Sequence, residues 1–326
     1  MNYRKFGTKD LSISEIGFGA WGIGGPAMVG DVAIGWGDVD DKTSIKALNR
    51  SYDLGINFYD TADFYGFGHS EELIGNVFGN RDDVIIASKV GHRVEDEKIL
   101  LDYTKKHILK SCEESLKRLK RDNIDYYQLH SAKLEHLQNG ECIEAMEQLK
   151  SEGKIKYWGI SLNTFNPYPE AEYLIERNLA EGFQLVLNII NQRSLKLIES
   201  AYQKGYGVIA RIPLQFGLLT GKFNKQTRFN KNDHRHFRLP PEFLTRLLEA
   251  INEVWAIAEK YNVDKTTFDL SFIMNHTGVS TVIPGIKTPE QATKNTKPIV
   301  TISEDDMNLL HQLFDKKFNA LVHKML

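Results

Sequence analysis

The stretch from Gly55 to Gly75, GINFYDTADFYGFGHSEELIG, decides how the rest of the chain is interpreted. Its first part, INFYD, is an apolar run that predicts a β-strand, and from Ser70 the pattern is typical of a helix start. Asp60, Tyr65 and two glycines lie between the two elements. A strand followed so closely by a helix predicts a β/α unit, and the acid and the phenol mark its connecting loop.

Similar apolar runs recur along most of the chain, near-continuous rather than alternating, as expected of strands covered on both faces. They span Glu15–Trp21, Ile56–Asp60, Val84–Val90, Ile124–His130, Lys156–Ser161, Phe183–Ile189, Gly207–Ile212 and Ser280–Gly285. Helix-length segments with capping residues separate them, such as the one between Asp40 and Gly55. Eight such alternations over roughly 290 residues favour a closed (β/α)₈ TIM barrel over an open doubly wound sheet.

The barrel is expected to be one domain, residues 1–326, because no low-complexity linker divides the chain. The polar, basic segment from Phe223 to Pro241 has no periodicity, so it predicts a long loop after the seventh strand, at the carboxyl-terminal face. The tail from Thr301 to His323 has helical apolar spacing and predicts an extra C-terminal helix packed outside the barrel.

Composition and charge exclude several classes of protein. Apolar residues make up 41% and charged residues 26%, so a folded core is expected. The 41 basic and 43 acidic residues nearly balance, and no apolar run approaches the roughly 18 residues of a membrane span. The N-terminal segment lacks a signal-peptide core. We therefore expect a cytoplasmic protein without nucleic-acid or membrane partners.

Two patterns are interpreted as structural. Cys112 and Cys142 fall in predicted helices, so buried thiols are expected rather than a disulfide or a metal site. The motif GFGAWG from Gly17 to Gly22 fits the dinucleotide fingerprint G-x-G-x-x-G, with an acid at Asp38. That fingerprint must open a helix, whereas a glycine-rich loop containing Asp38 follows here. The sequence therefore argues against a Rossmann fold.

Ionisable residues end three consecutive predicted strands: Asp60, Lys89 and His130, with Tyr65 just beyond the first. The carboxyl ends of barrel strands meet at one mouth, so these four side chains predict a catalytic site. An ammonium beside Tyr65 would lower the pKa of the phenol and make it a better proton donor. Asp60 would hold the ammonium, and His130 would orient a substrate oxygen. Such a set of side chains can protonate a carbonyl oxygen, but no side chain can supply a hydride to the carbonyl carbon. A nicotinamide cofactor can, so one is expected.

With these motifs the chain resembles the aldo-keto reductase superfamily over nearly its whole length. The matching segments are DTADFYGFGHSEELIG, IIASK, IDYYQLH, EGKIKYWGIS, PLQFGLLTGKF and IPGIKTPEQATKN, and their order and spacing together are highly specific. The resemblance implies a (β/α)₈ barrel that binds NADPH without a Rossmann fold. It also implies that Asp60, Tyr65, Lys89 and His130 form the family's catalytic tetrad.

The resemblance further implies cofactor contacts. Ser161, Asn163 and Gln184 are expected around the nicotinamide amide, and Lys287 at the 2′-phosphate. Lys287 and Lys294 together favour NADPH over NADH, because a 2′-phosphate needs cationic partners. The full set of expected cofactor residues is Ala20, Trp21, Ser161, Asn163, Gln184, Arg211, Pro213, Leu214, Gly217, Lys222, Lys287, Gln291, Lys294 and Asn295. No metal ligand is expected.

The mouth of the barrel departs from the family pattern. Arg211 stands where the family usually has an aromatic residue stacked on the nicotinamide; a planar guanidinium can also stack, and its charge favours an anionic or polyhydroxylated substrate. His130 is followed by Ser131-Ala132-Lys133 in place of the frequent Trp-Pro-Asp. Trp21 and Trp36 are expected to be pocket walls.

The leading interpretation is an oxidoreductase that transfers hydride from NADPH to an aldehyde or ketone, with Tyr65 as general acid, giving an alcohol. One alternative is a cofactor-binding regulatory subunit that resembles the potassium-channel β subunits. Another is NADP-dependent oxidation of a sugar alcohol or lactol. The intact tetrad favours catalysis, whereas the sequence leaves the substrate, the reaction direction and the oligomeric state open.

Overall fold

The computed structural model describes residues 1–37, 39–231, 233 and 235–322. Eight parallel strands form one sheet in chain order. They are Phe18–Gly19 (β1), Phe58–Asp60 (β2), Ile85–Val90 (β3), Ile124–His130 (β4), Ile155–Ser161 (β5), Gly182–Val186 (β6), Gly207–Arg211 (β7) and Thr281–Val282 (β8). Parallel bridges from Ile16 to Val282 and from Gly19 to Gly285 join the first strand to the last. The sheet therefore closes on itself, and the predicted barrel is confirmed.

Helices cover the outside of the barrel. Those that follow the strands are Asp41–Asp53 (α1), His69–Phe78 (α2), Lys105–Leu119 (α3), Glu141–Ser151 (α4), Tyr168–Glu176 (α5), Leu195–Gln203 (α6), Lys265–Met274 (α7) and Pro289–Asn295 (α8). As the capping pattern predicts, the Asp40 side chain accepts a hydrogen bond from the backbone N–H of Thr43 at the start of α1. Cys112 in α3 and Cys142 in α4 are buried free thiols.

Further helices lie between and after these units. They are Leu134–Asn139, Arg235–Arg238, Pro241–Ala250, Asn252–Ala258, Glu304–Leu313 and Asn319–Val322, with a π-helical segment at Phe314–Phe318 and 3₁₀ turns at Ala20–Gly24, Gln215–Thr220 and Glu259–Tyr261. The predicted C-terminal helix is confirmed, and its last residue, His323, lies outside the described residues. In the ranges that the structure describes, no helix is both long and apolar enough to cross a membrane.

The glycine-rich motif after β1 does not open an α-helix. Ala20–Gly24 forms a 3₁₀ turn, which confirms the argument against a Rossmann fold. Asp38 lies outside the described residues. The segment from Phe223 to Pro241 is largely irregular as predicted, although Arg235–Arg238 forms one helical turn within it.

Three antiparallel hairpins are additions that the sequence did not predict. The first pairs Tyr3–Lys5 with Ser12–Ser14 before the barrel begins. The other two pair Met28–Val29 with Val32–Ala33, after β1, and His92–Glu95 with Lys98–Leu101, after β3. Their strands are too short and too exposed to give an alternating pattern.

The inner face of the barrel changes from apolar to polar along the strands. Side chains alternate between the two faces of a strand, so Tyr126, Gln128 and His130 share one face of β4. Tyr126 belongs to an apolar cluster with Phe6 and Phe58, whereas Gln128 and His130 belong to the polar end. The carboxyl ends of the strands thus present a polar layer above an apolar one.

Candidate active site

The loop between β2 and α2 positions Tyr65 against the loop that follows β1. Gly66 has φ +62°, and a Cβ there would lie 2.0 Å from the backbone oxygen of Gly24. Only glycine fits this contact and this backbone conformation. The indole ring of Trp21 in turn stacks on the Tyr65 ring, with 6.1 Å between centroids. Gly66 therefore allows the close contact between the two loops that holds the Tyr65 side chain at the mouth of the barrel.

A fully buried ion pair lies beneath Tyr65. Lys89 Nζ is 2.6 Å from Asp60 Oδ2, 2.7 Å from the backbone oxygen of Thr61 and 3.2 Å from Tyr65 Oη. The Lys89 side chain has no exposed surface. Three acceptors thus hold the three protons of one ammonium, and Asp60, Lys89 and Tyr65 lie together as predicted.

Two amides hold the other carboxylate oxygen of Asp60. Gln184 Nε2 donates to Asp60 Oδ1 at 2.6 Å, and Gln128 Nε2 donates to the same oxygen at 3.1 Å. Gln184 Oε1 lies 3.5 Å from Ser161 Oγ, which donates to it. Sequence reasoning missed Gln128, although its position two residues before His130 on the same strand face was a usable signal.

The balance between burial and neighbouring charge differs for the two ionisable groups beside Asp60. Burial lowers the pKa of Lys89, but Asp60 and Tyr65 outweigh it and raise the pKa above its ordinary value. Burial raises the pKa of Tyr65, and the lowering effect of Lys89 does not cancel it. The expected net fall in the Tyr65 pKa is therefore wrong, because the phenol is more deeply buried than its sequence context indicated.

His130 shares the mouth with a second imidazole, His92. The two ring centroids are 4.4 Å apart, and the Nδ1 atom of each ring is buried without a hydrogen-bond partner within the described part of the chain. Burial lowers the pKa of His130 well below its usual value and that of His92 to about 4. Both rings are therefore neutral near pH 7. Sequence reasoning missed His92, which begins the short hairpin strand His92–Glu95 after β3, a segment without a distinctive pattern.

These side chains open into a cavity of about 690 Å³. Of the four predicted catalytic residues, Asp60, Tyr65 and His130 line it, and Lys89 lies behind them. Trp21 and Trp36 are among its walls. The predicted cofactor residues that line it are Ala20, Trp21, Ser161, Gln184, Arg211, Pro213, Leu214, Gly217, Lys222, Lys287 and Gln291.

Three predicted cofactor residues do not line this cavity. Asn163 is exposed, and its Oδ1 accepts hydrogen bonds from the backbone N–H groups of Phe165 and Asn166. Lys294 Nζ lies 3.8 Å from Asp264 Oδ1, and Asn295 is buried at the end of α8. Their cofactor contacts stay predictions that this geometry does not favour, since local turn and helix geometry direct the three side chains elsewhere.

The second cation near Lys287 is Arg235 rather than Lys294. Burial lowers the pKa of Lys287, and the charge of Arg235 lowers it further. Arg235 Nε donates to Asp233 Oδ1 at 2.9 Å. The backbone N–H of Lys287 donates to Gln291 Oε1 at 2.7 Å, which ties the loop after β8 to the first turn of α8.

The lining of the cavity is strongly cationic. Five basic side chains contribute to it, Arg211, Lys222, Arg235, Arg238 and Lys287, whereas Asp60 is its one carboxylate among the described residues. Lys89 already matches the charge of Asp60. A long cavity with excess positive charge, aromatic walls and a proton donor at one end fits an elongated anionic ligand such as a dinucleotide phosphate.

Comparisons of the sequence and of the structure identify known proteins that are similar to this chain. A sequence model described as the aldo/keto reductase family matches residues 15–315. "Uncharacterized oxidoreductase YqkF" of Bacillus subtilis is 33% identical over 298 residues, covering 90% of each chain. A "probable voltage-gated potassium channel subunit beta" of Arabidopsis thaliana is 27% identical over 93% of this chain and 92% of its own. The glycerol dehydrogenase AKR11B4 of Gluconobacter oxydans superposes with a TM-score of 0.79 at 26% identity, covering 97% and 96% of the two chains.

Proposed function

Because the chain belongs to the aldo/keto reductase family, we propose that it reduces an aldehyde or ketone to an alcohol with NADPH as hydride donor. In this reaction the carbonyl carbon gains a hydride and its oxygen gains a proton, while NADPH becomes NADP⁺. Tyr65 provides the proton. The substrate is a sugar-like or anionic carbonyl compound, since the mouth is polar and cationic.

The contact between Lys89 Nζ and Tyr65 Oη, 3.2 Å, carries the proposal. Because burial keeps the pKa of Tyr65 raised, the phenol holds its proton at neutral pH. When negative charge develops on a nearby carbonyl oxygen, the phenol donates that proton, and the ammonium stabilises the phenolate that remains. Asp60 holds the ammonium in place during the transfer.

His130 acts on the substrate oxygen as a neutral donor. Its pKa lies well below 6.5 because of burial, so it does not compete with Tyr65 to protonate the carbonyl. A ring N–H can hydrogen-bond the oxygen and turn the carbonyl towards Tyr65. His92 packs against this ring and limits its rotation.

The cavity residues would hold the cofactor along its length. A bound nicotinamide ring supplies a hydride to the carbonyl carbon, which no side chain can do. Ser161 and Gln184 lie near the proton donor, and Lys222 and the loop from Pro213 to Gly217 suit the pyrophosphate. Lys287 with Arg235 would bind a 2′-phosphate, so NADPH is favoured over NADH.

Two other functions have specific support. The similarity to a potassium-channel β subunit favours a cofactor-binding regulatory role, although the complete set of Asp60, Tyr65, Lys89 and His130 favours catalysis. The structural likeness to a glycerol dehydrogenase favours oxidation of a sugar alcohol or lactol with NADP⁺. The same proton-transfer group serves either direction.

The proposal is tested by following NADPH consumption with aldehydes, ketosugars, oxo acids and α-dicarbonyls, with NADH in parallel and NADP⁺ plus sugar alcohols as the reverse assay. We expect turnover with at least one carbonyl and preference for NADPH. Tight NADPH binding without oxidation by any carbonyl would favour the regulatory subunit, and turnover confined to alcohols would reverse the proposed direction.

A further inference from the structure

Arg211 ends β7 as a half-buried cation on the wall of the cavity. Its Nη2 donates to the backbone oxygen of Leu162 and to Thr164 Oγ1, each at 3.0 Å. Its Nε is buried and has no hydrogen-bond partner among the described residues. Among the residues that the structure describes, no carboxylate forms a salt bridge with it, although its side chain lines the cavity.

Three other cations that line the cavity already have an ionic partner or a proposed ligand. Arg235 pairs with Asp233, and Lys222 and Lys287 lie where the proposed function needs phosphate partners. Arg211 instead lies near the proton donor. After burial, Lys89 and Asp60, the charge of Arg211 also acts on the pKa of Tyr65, which it lowers, so guanidinium and phenol share one end of the cavity.

A buried guanidinium is unfavourable unless an anion and hydrogen-bond acceptors compensate it. A carboxylate supplies both, because its oxygens accept charge-assisted hydrogen bonds in the plane of the guanidinium. Neutral hydroxyls of a sugar can accept hydrogen bonds from a guanidinium but leave its charge uncompensated. The neighbouring cation Arg238, which also lines the cavity, adds to the positive potential at this point.

We propose that Arg211 binds the carboxylate of the substrate, so that the carbonyl compounds reduced at Tyr65 are oxo acids. This inference rests on the proposed function and narrows its substrate class. The bonds to Leu162 and Thr164 fix the guanidinium on the cavity wall, so its cavity-facing N–H groups meet the substrate without a large conformational change. Arg211 is then a specificity-determining residue, and Tyr65 and Lys89 remain the proton-transfer groups.

The test compares matched acids and esters as substrates with NADPH: pyruvate against methyl pyruvate, succinic semialdehyde against its methyl ester, and 4-carboxybenzaldehyde against methyl 4-formylbenzoate. For the unmodified protein, kcat/KM should be higher for the acid in at least one pair. In Arg211→Gln this acid-to-ester ratio should fall roughly 10- to 100-fold, the range of a lost charge-assisted contact. Arg211→Lys should keep part of the ratio.

Two variants separate substrate binding from other effects. Arg235→Gln removes a cavity cation that is already paired with Asp233, and should change the ratio less than threefold or so. Thr164→Val removes one of the two bonds that position Arg211 but keeps its charge, so it should lower the ratio less than Arg211→Gln does. If Arg211→Gln lowers the rates for acids and esters equally, or if Arg235→Gln lowers the ratio as much as Arg211→Gln does, the carboxylate site is refuted.

A binding measurement decides the question independently of turnover. Calorimetric titration of the NADP⁺-loaded protein should show binding of benzoate but much weaker binding of benzamide, and Arg211→Gln should remove the difference. Absence of that difference in the unmodified protein overturns the inference. A benzoate preference that depends on Arg211, in a protein that reduces no carbonyl, would support the anion site and contradict the proposed reaction.

Discussion

At the amino-terminal end of the barrel, Phe6 from the first hairpin is completely buried against Tyr126, with 4.8 Å between ring centroids. At the opposite end of the same inner face, Lys89 is equally buried, but against Asp60 and Tyr65. The first contact is apolar and leaves no charge to compensate. The second keeps an ion pair out of water, and it is stable only while every partner stays in place.

Under the proposed function, the apolar end contributes stability and the polar end carries the chemistry. Apolar packing stabilises in proportion to the surface removed from water. A buried ion pair adds little net stability, since desolvation offsets much of the attraction between the charges. Lys89 and Asp60 are therefore best explained by their effect on Tyr65, and substitutions at the two ends should have different consequences.

The largest effect is expected from Lys89→Met at the polar end. The variant leaves Asp60 buried without its cation, so the free energy of unfolding should fall by about 3–5 kcal/mol. The rate of carbonyl reduction should fall about 10²- to 10⁴-fold, because the ammonium that stabilises the Tyr65 phenolate is absent. Urea unfolding and kcat are the two measurements.

The double variant Lys89→Met with Asp60→Asn serves as its control. Removing both charges should restore much of the stability and none of the activity. If activity returned together with stability, the ion pair would be a structural feature only.

Phe6→Ala at the apolar end should lower the free energy of unfolding by about 3–5 kcal/mol, because it leaves a cavity next to Tyr126. Where the variant is folded, kcat should stay close to that of the parent protein. The exposed Tyr202, changed to alanine, is a suitable control and should alter stability by less than about 0.5 kcal/mol. A large fall in kcat for folded Phe6→Ala would show that the two ends are not independent.

Lys287→Ala should raise the Kd for NADPH roughly 10- to 100-fold and the Kd for NADH much less, since only NADPH carries the 2′-phosphate. Fluorescence titration of the two cofactors measures both values. Lys294→Ala, a lysine paired with Asp264 outside the cavity, should leave both affinities nearly unchanged. Equal losses for the two cofactors in Lys287→Ala would exclude this residue as the 2′-phosphate ligand.

The smallest effect is expected from pH. Burial lowers the pKa of His130 well below 6.5 and that of His92 to about 4, so neither ring changes charge near the ordinary histidine pKa. A profile of kcat/KM against pH should therefore be flat through the usual histidine range. An inflection near 6.5 that disappears in His92→Phe would mean that the mouth is more solvated than the structure indicates.

The barrel was predictable because strands covered on both faces give near-continuous apolar runs, as at Ile124–His130. The hairpins at Met28–Val29 and His92–Glu95 were not, since their strands are short and largely exposed and depend on the rest of the fold. The N-terminal hairpin that buries Phe6 could not be predicted from its local sequence either, because Phe6 packs against residues far along the chain.

Within the site, the residues at strand ends were predictable, and so was Tyr65 in the loop after β2, whereas the directions of Asn163 and Lys294 were not. Asp60, Lys89 and His130 follow directly from where their strands stop. The hydrogen bonds of its own turn direct the Asn163 side chain away from the cavity, and Lys294 lies on a face of α8 where it pairs with Asp264. The spacing of residues along the sequence does not show either direction. The raised pKa of Tyr65 depends on its degree of burial, which only the assembled barrel determines.

The central claim is that Tyr65, supported by Lys89, protonates the carbonyl oxygen. Its most direct test is single-turnover reduction of a carbonyl by the NADPH-loaded Tyr65→Phe variant, with NADPH affinity measured on the same sample. We predict an NADPH Kd within about twofold of the parent value and a reduction rate lower by about 10²- to 10⁴-fold. A reduction rate equal to that of the parent protein, at equal cofactor occupancy, would contradict the account.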